Sequence, residues 1–101
     1  MMRSSQKMSS GKPLAYKITY KKSVAKDLSK LPKAVAEGLL RVINDTLPSS
    51  PQAGEQLKGS YRGLWRLRVG RYRIIYEIHT SEIVILILRI SHRKDVYRGL
   101  I

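Results

Sequence analysis

The sequence contains no cysteine, which removes disulfides and thiolate metal sites and suits a reducing compartment such as the cytoplasm. No stretch approaches the roughly eighteen consecutive apolar residues of a membrane-spanning helix, and the apolar run at 83–88 reads instead as a buried strand. Histidine occurs twice, and carboxylates such as Glu77, Glu82 and Asp95 are scattered, so no metal-ligand set is spaced along the chain. Phosphate-cradling loops are missing too, because Gly-Ser-Tyr-Arg-Gly at 59–63 lacks the Walker spacing. Neither a carboxylate pair placed for hydrolysis nor a serine at a nucleophile elbow is present. Acidic residues are scarce, with 7 Asp and Glu against 20 Lys and Arg.

That imbalance, a net charge of +13 on 101 residues, points to a polyanionic partner, most simply nucleic acid. The length fits one domain with a modest core. Residues 1–60 carry their excess mostly as Lys and residues 61–101 mostly as Arg. Arginine presents a planar fork of donors that matches phosphate, whereas lysine is a hydrated point charge. The second half is therefore the expected recognition half.

Residues 1–13 are rich in Ser, Lys and Met and lack apolar periodicity, which predicts a disordered tail before a single domain over 14–101. Leu14–Tyr20 alternates loosely and reads as a first strand. Ser23 is the expected N-cap of a helix carrying Val24, Leu28 and Leu31 at helical spacing. Pro32 ends that helix and suits the start of another, whose stripe holds Val35, Leu39, Val42 and Thr46 flanked by Ala36, Leu40, Ile43 and Leu47. Gly38 inside it suggests close packing on the sheet. A Pro-, Gly- and Ser-rich loop follows over Pro48–Ser60. Three strands complete the chain: a hairpin within Tyr61–Ile78, a turn at His79–Glu82, and Ile83–Ile90. The predicted fold is α+β: an N-terminal strand, an αα-hairpin, then a three-stranded antiparallel meander. Its helices cover one face of a four-stranded antiparallel sheet and leave a partly basic, partly apolar second face.

The hairpin Leu64–Tyr76 organises this scheme. Gly70-Arg71 between alternating runs fits a two-residue type II′ turn. Val69 then faces Tyr72, Leu67 faces Ile74 and Trp65 faces Tyr76, forming one apolar face. The other face opposes Arg68 to Arg73, with Arg66 beside them and Arg71 at the tip. Like charges directly opposite on a sheet are destabilising. An ordinary solvated face would also alternate, but this apposition favours phosphate binding by a set that extends toward Arg89 and Arg93. If Ile78 pairs with Ile83, then Ile85 and Ile87 join the apolar face and Leu88 lies beside Arg73. Ser91-His92-Arg93-Lys94-Asp95-Val96-Tyr97 ends the last strand, and His92 is the one residue there whose ordinary pKa suits proton transfer near neutrality.

Tyr16-Lys-Ile-Thr-Tyr, Val24-Ala-Lys-Asp-Leu-Ser-Lys-Leu, Leu57-Lys-Gly, Leu64-Trp-Arg-Leu-Arg-Val-Gly-Arg-Tyr-Arg-Ile-Ile-Tyr-Glu-Ile and Ile90-Ser-His-Arg-Lys-Asp-Val-Tyr follow one another in an order and spacing that resemble the RelE/ParE superfamily of toxins from toxin–antitoxin systems. The likeness spans about residues 14–98 and is closer to the RelE branch. It implies a ribosome-dependent mRNA endonuclease that enters the A site, needs no metal or cofactor, and inhibits translation. The 2′-OH of the preceding nucleotide attacks the scissile phosphate and leaves a cyclic phosphate end. By position, Arg66 and Arg68 match basic residues of the second strand and Arg73 a phosphate-binding arginine of the third. Arg93 matches a basic residue after the fourth, and Tyr97 a base-stacking tyrosine. His92 stands where some relatives place a catalytic histidine. Well-studied members carry Lys where this chain has Arg66 and Arg68, and a guanidinium holds its proton too tightly to act as an easy base. The implied partners are an acidic antitoxin, in a hetero-oligomer, together with the ribosome and mRNA; no membrane is involved and the location is cytoplasmic. Two other readings stay open: a ParE-like inhibitor of DNA gyrase, and a non-catalytic RNA- or ribosome-binding module.

Overall fold

The strand–helix–helix opening expected from the sequence is present in the computed structural model, which describes residues 15–92. β1 (Lys17–Tyr20) leads into α1 (Lys22–Ser29) and α2 (Lys33–Thr46). Then come β2 (Glu55–Gln56), β3 (Trp65–Val69), β4 (Tyr72–His79) and β5 (Val84–His92). The tail predicted at 1–13 lies outside the described residues.

The architecture is α+β, with two differences from the sequence expectation. Among the described residues the sheet has five strands in the order β1-β5-β4-β3-β2, because Glu55–Gln56, expected as loop, pairs antiparallel with β3 at the edge. The sheet is also mixed, since β1 runs parallel to β5. The αα-hairpin between β1 and the meander returns the chain to the opposite end, which permits a parallel pair.

The two helices form where apolar residues recur every four positions. Val24 and Leu28 face inward from α1, and Val35, Leu39 and Ile43 from α2, with Leu47 continuing the stripe just past its last turn. Pro32 begins the second helix from its N-cap with φ −55°, a value its ring already enforces. Ser23 is not a cap: α1 starts one residue before it, from an extended Lys21 with no side-chain cap. Gly38 does not bring α2 closer to the sheet, because a Cβ built there meets nothing within 4 Å.

One sheet face packs against these helices. Val24, Leu39, Ile43 and Leu47 meet Ile74, Tyr76, Ile85, Ile87 and Ile90 in a single buried cluster. Trp65, Leu67, Val69 and Tyr72 extend it along the hairpin, with the Trp65 and Tyr76 rings stacked at 6.2 Å. The hairpin register is the one read from the sequence: Trp65↔Tyr76, Leu67↔Ile74 and Val69↔Tyr72. Gly70 turns the chain at φ +60° while Arg71 keeps a negative φ, as a type II′ turn requires.

The β4–β5 register differs from the expectation. Ile78 pairs with Ile85, the turn is a single 3-10 turn at Thr80–Glu82, and Ile83 sits in the left-handed region at φ 57°. A β-bulge then falls opposite Ile75/Tyr76, where Ile75 pairs with Arg89 but Tyr76 pairs with Ile87. Leu88 is the extra residue, so it does not lie beside Arg73, which faces Ser91. β1 pairs with β5 only as far as Ile87, and further along the Asp27 carboxylate of α1 accepts a hydrogen bond from the Ile90 amide at 3.1 Å.

Two glycines test this packing in opposite directions. Gly38→Ala fills open space in a helix interior and is expected to stabilise the fold by about 0.5–1 kcal/mol. Gly54→Ala places a Cβ 2.5 Å from the Arg66 carbonyl oxygen and 2.8 Å from the Tyr76 hydroxyl, and is expected to destabilise by about 1–3 kcal/mol. Thermal unfolding reads both, at about 4–8 °C per kcal/mol. A rise in Tm for Gly54→Ala would contradict the close approach described here.

Candidate functional site

The second face of the sheet carries the arginines. Arg66 and Arg68 project from β3, and Arg68 lies directly opposite Arg73 of β4, as the hairpin register predicts. Arg89 joins them through the bulge. Strict alternation along β5 would place it on the helix-packed face with Ile85 and Ile87; the extra residue at Leu88 reverses the phase. Arg89 then faces Ile75, and Ile90 enters the core.

Ile75 is the centre of this face. Its neighbours in register are Arg66 on one side and Arg89 on the other, and it is fully buried. The Nε atoms of both arginines are buried as well. Arginine suits a place beside a buried isoleucine, because its long stem is apolar and only its head needs polar partners. Val84, Leu86 and Leu88 are half-buried, so the surface is part basic and part apolar, as expected.

The charged ends have partners within the chain. Arg73 Nη1 donates to the carbonyls of Gly70 and Tyr72, both at 3.1 Å, and is drawn toward the hairpin tip. Arg66 Nη2 donates to Glu55 Oε1 at 2.6 Å, and Arg68 Nη2 lies 3.5 Å from the same oxygen. Hydrogen bonding from Arg66, reinforced by the charge of Arg68, holds the Glu55 carboxyl below the usual carboxylate range. Glu55 reaches this position because β2 pairs it with Arg66. The preceding turn is fixed from below by Tyr76, whose hydroxyl donates to the Pro51 carbonyl at 2.7 Å and accepts from the Gly54 amide at 3.1 Å. Burial raises the pKa of that hydroxyl, so it remains protonated and able to donate.

His92 is not on the face of Arg66, Arg68 and Arg73, although it lines a cavity with Arg89 and Asp27. It pairs with Tyr72 on the helix-packed face, edge-on to that ring at 5.9 Å, whereas Ser91 takes the place facing Arg73. The same bulge that brings Arg89 over carries His92 away. Arg71 stands exposed at the turn. Arg93 and Tyr97 lie outside the described residues. Sequence reasoning missed Glu55 because a two-residue edge strand has too little pattern to read; the missed bulge did leave a signal, an arginine on the phase of Ile85 and Ile87.

Among the described residues no group of His, Asp and Glu could hold a metal ion, and no helix is long and apolar enough to cross a membrane.

Comparison with known proteins gives this geometry a family. The family model for the ParE toxin of type II toxin–antitoxin systems, parDE, matches residues 18–97. The chain is 29% identical over 86 residues to toxin RelG of Mycobacterium tuberculosis, covering 84% of this chain and 99% of that protein. It is 30% identical over 91 residues to putative toxin RelE1 of Methanocaldococcus jannaschii, with 85% and 99% covered. Among solved structures, the RelBE2 toxin–antitoxin complex of M. tuberculosis superposes with a TM-score of 0.75 at 28% identity, over 81% of this chain and 95% of the other. The RelE–RelB complex of Pyrococcus horikoshii gives 0.64 at 33% identity, over 79% and 97%. The chain belongs to the RelE/ParE family of type II toxins.

The Glu55 contact predicts a pH dependence. A carboxyl whose folded pKa lies below its unfolded value contributes stability that is present above the ordinary glutamate range and lost as pH falls through the depressed value. Carboxyl NMR should find Glu55 titrating below its unfolded-chain value, and Arg66→Ala should bring it back up. An ordinary titration in the unsubstituted protein would contradict the pairing.

Proposed function

We propose that this toxin is a ribosome-dependent mRNA endonuclease that inhibits translation, and that its arginine face binds the strand to be cut. The observation that carries this reading is the convergence of Arg66, Arg68, Arg73 and Arg89 on one sheet face, with Arg68 and Arg73 directly opposed. The RelE names of its relatives support the same activity. Four cations placed together are tolerated best when an anion lies between them.

In the proposed reaction the 2′-OH of the preceding nucleotide attacks the scissile phosphorus. The new P–O2′ bond forms as the P–O5′ bond breaks, leaving a cyclic phosphate on the upstream end. The 2′-OH loses its proton and the departing 5′ oxygen gains one. Negative charge builds on the pentavalent phosphate, and the arginine donors stabilise it more than the ground state. The arginines act as clamps, because a guanidinium does not release its proton at neutral pH. No proton transfer is assigned to His92, on the opposite face. An acidic antitoxin partner, in a hetero-oligomer, fits both the net charge of +13 and the RelB–RelE complexes among the structural relatives.

A second reading has one observation in its favour: the matching family model bears the ParE description. In that case the same surface would engage DNA gyrase and no RNA would be cut.

The test is to incubate the protein with programmed ribosomes, with gyrase and with free RNA, and to map any cut ends. Cleavage on ribosomes is expected, and Arg73→Ala should lower its rate by about 10²–10³-fold, a loss of roughly 2.7–4 kcal/mol of transition-state stabilisation. Near-normal cleavage by a folded Arg73→Ala protein would remove Arg73 from the site. Inhibited gyrase with intact mRNA would replace this reading with the second.

A further inference from the structure

We propose that Glu55 is a built-in counter-anion: it occupies Arg66 and Arg68 in the free protein, and an RNA strand must displace it to use them. The inference rests on the arginine face being the RNA surface, and concerns how that surface is kept from weak or incidental phosphates.

Carboxylate and phosphate compete for the same guanidinium donors, since both offer paired oxygens to the planar fork. Glu55 already holds that place, 2.6 Å from Arg66 Nη2 and 3.5 Å from Arg68 Nη2. Its side chain is 59% exposed, so it is reachable and can swing into water when displaced. An exposed pair of this kind contributes little to folding. The fold nevertheless delivers the carboxylate with some care. The Tyr76 hydroxyl grips the chain on both sides of the turn, at Pro51 and Gly54, and Gly54 has no room for a side chain against the Arg66 carbonyl. Residue 55 follows immediately and is paired in register with Arg66.

Arg73, opposite Arg68, is bonded to main-chain carbonyls rather than to Glu55. A lone phosphate gains little by replacing Glu55, because it exchanges one anion for another. A strand whose successive phosphates engage Arg73 together with Arg66 and Arg68 gains a contact that Glu55 cannot supply. The carboxylate thus sets a threshold that a positioned strand passes and an isolated phosphate does not.

The experiment measures binding of a labelled oligouridylate by fluorescence anisotropy from about 50 to 200 mM salt. Four proteins are compared: unsubstituted, Glu55→Gln, Glu37→Gln and Tyr76→Phe. Glu37 is exposed on α2, so Glu37→Gln makes the same change in net charge away from the site. Tyr76→Phe changes no charge but frees the turn that presents Glu55. Glu55→Gln is expected to bind at least about threefold tighter and to steepen the salt dependence by about 0.7–1.4 in log–log slope, the release of one or two phosphate-binding arginines. Tyr76→Phe should move affinity in the same direction, and Glu37→Gln should leave the slope unchanged. Glu55→Gln binding no tighter than Glu37→Gln, or Tyr76→Phe binding unchanged or weaker, would overturn the proposal. These readouts need no ribosome and no cleavage. Absence of cleavage by the unsubstituted protein would count against the endonuclease reading and leave the Glu55 result standing.

Discussion

Ile75, enclosed between two arginines on the face away from the helices, is the constraint on which this surface depends. Ile75 is fully buried there, and its register neighbours on both sides are arginines, whose long stems are apolar. The register fixes where the stems start, and so from where the guanidinium groups are presented. Apolar burial and charge presentation thus share one patch of the sheet, where several cations stand close together.

The opposite face supplies the rigidity. The cluster of Val24, Leu39, Ile43 and Leu47 against Ile74, Tyr76, Ile85, Ile87 and Ile90 anchors β4 and β5. Tyr76 links the two sides of the molecule: its ring is buried in the core, while its hydroxyl sets the turn that carries Glu55 to the edge of the arginine face. Rigid support beneath charged groups is what preorganisation requires, because donors already in position lose less on binding.

Much of this was legible in the sequence where alternation and turn chemistry agree. The Gly70-Arg71 turn, the cross-strand pairs of β3 and β4, the apposition of Arg68 and Arg73, and the helical hairpin around Pro32 all follow from local rules. Reading failed where one residue changes phase. Alternation has a period of two, so the bulge at Leu88 exchanges the faces of everything after it, bringing Arg89 to the arginines and taking His92 from them. The edge strand Glu55–Gln56 was hidden for a different reason: its pairing is imposed by the fold around Tyr76 rather than by any pattern of its own.

Membership of the RelE/ParE family defines the fold and the class of toxin, and the arginine face is what the proposal of an RNA target rests on. That claim is tested most directly by following the arginine side-chain Nε–Hε resonances by NMR while single-stranded RNA is added. The account predicts shifts at Arg66, Arg68, Arg73 and Arg89 with the amides of α1 and α2 unmoved. Shifts confined to the helical hairpin, with those arginine signals stationary, would contradict it.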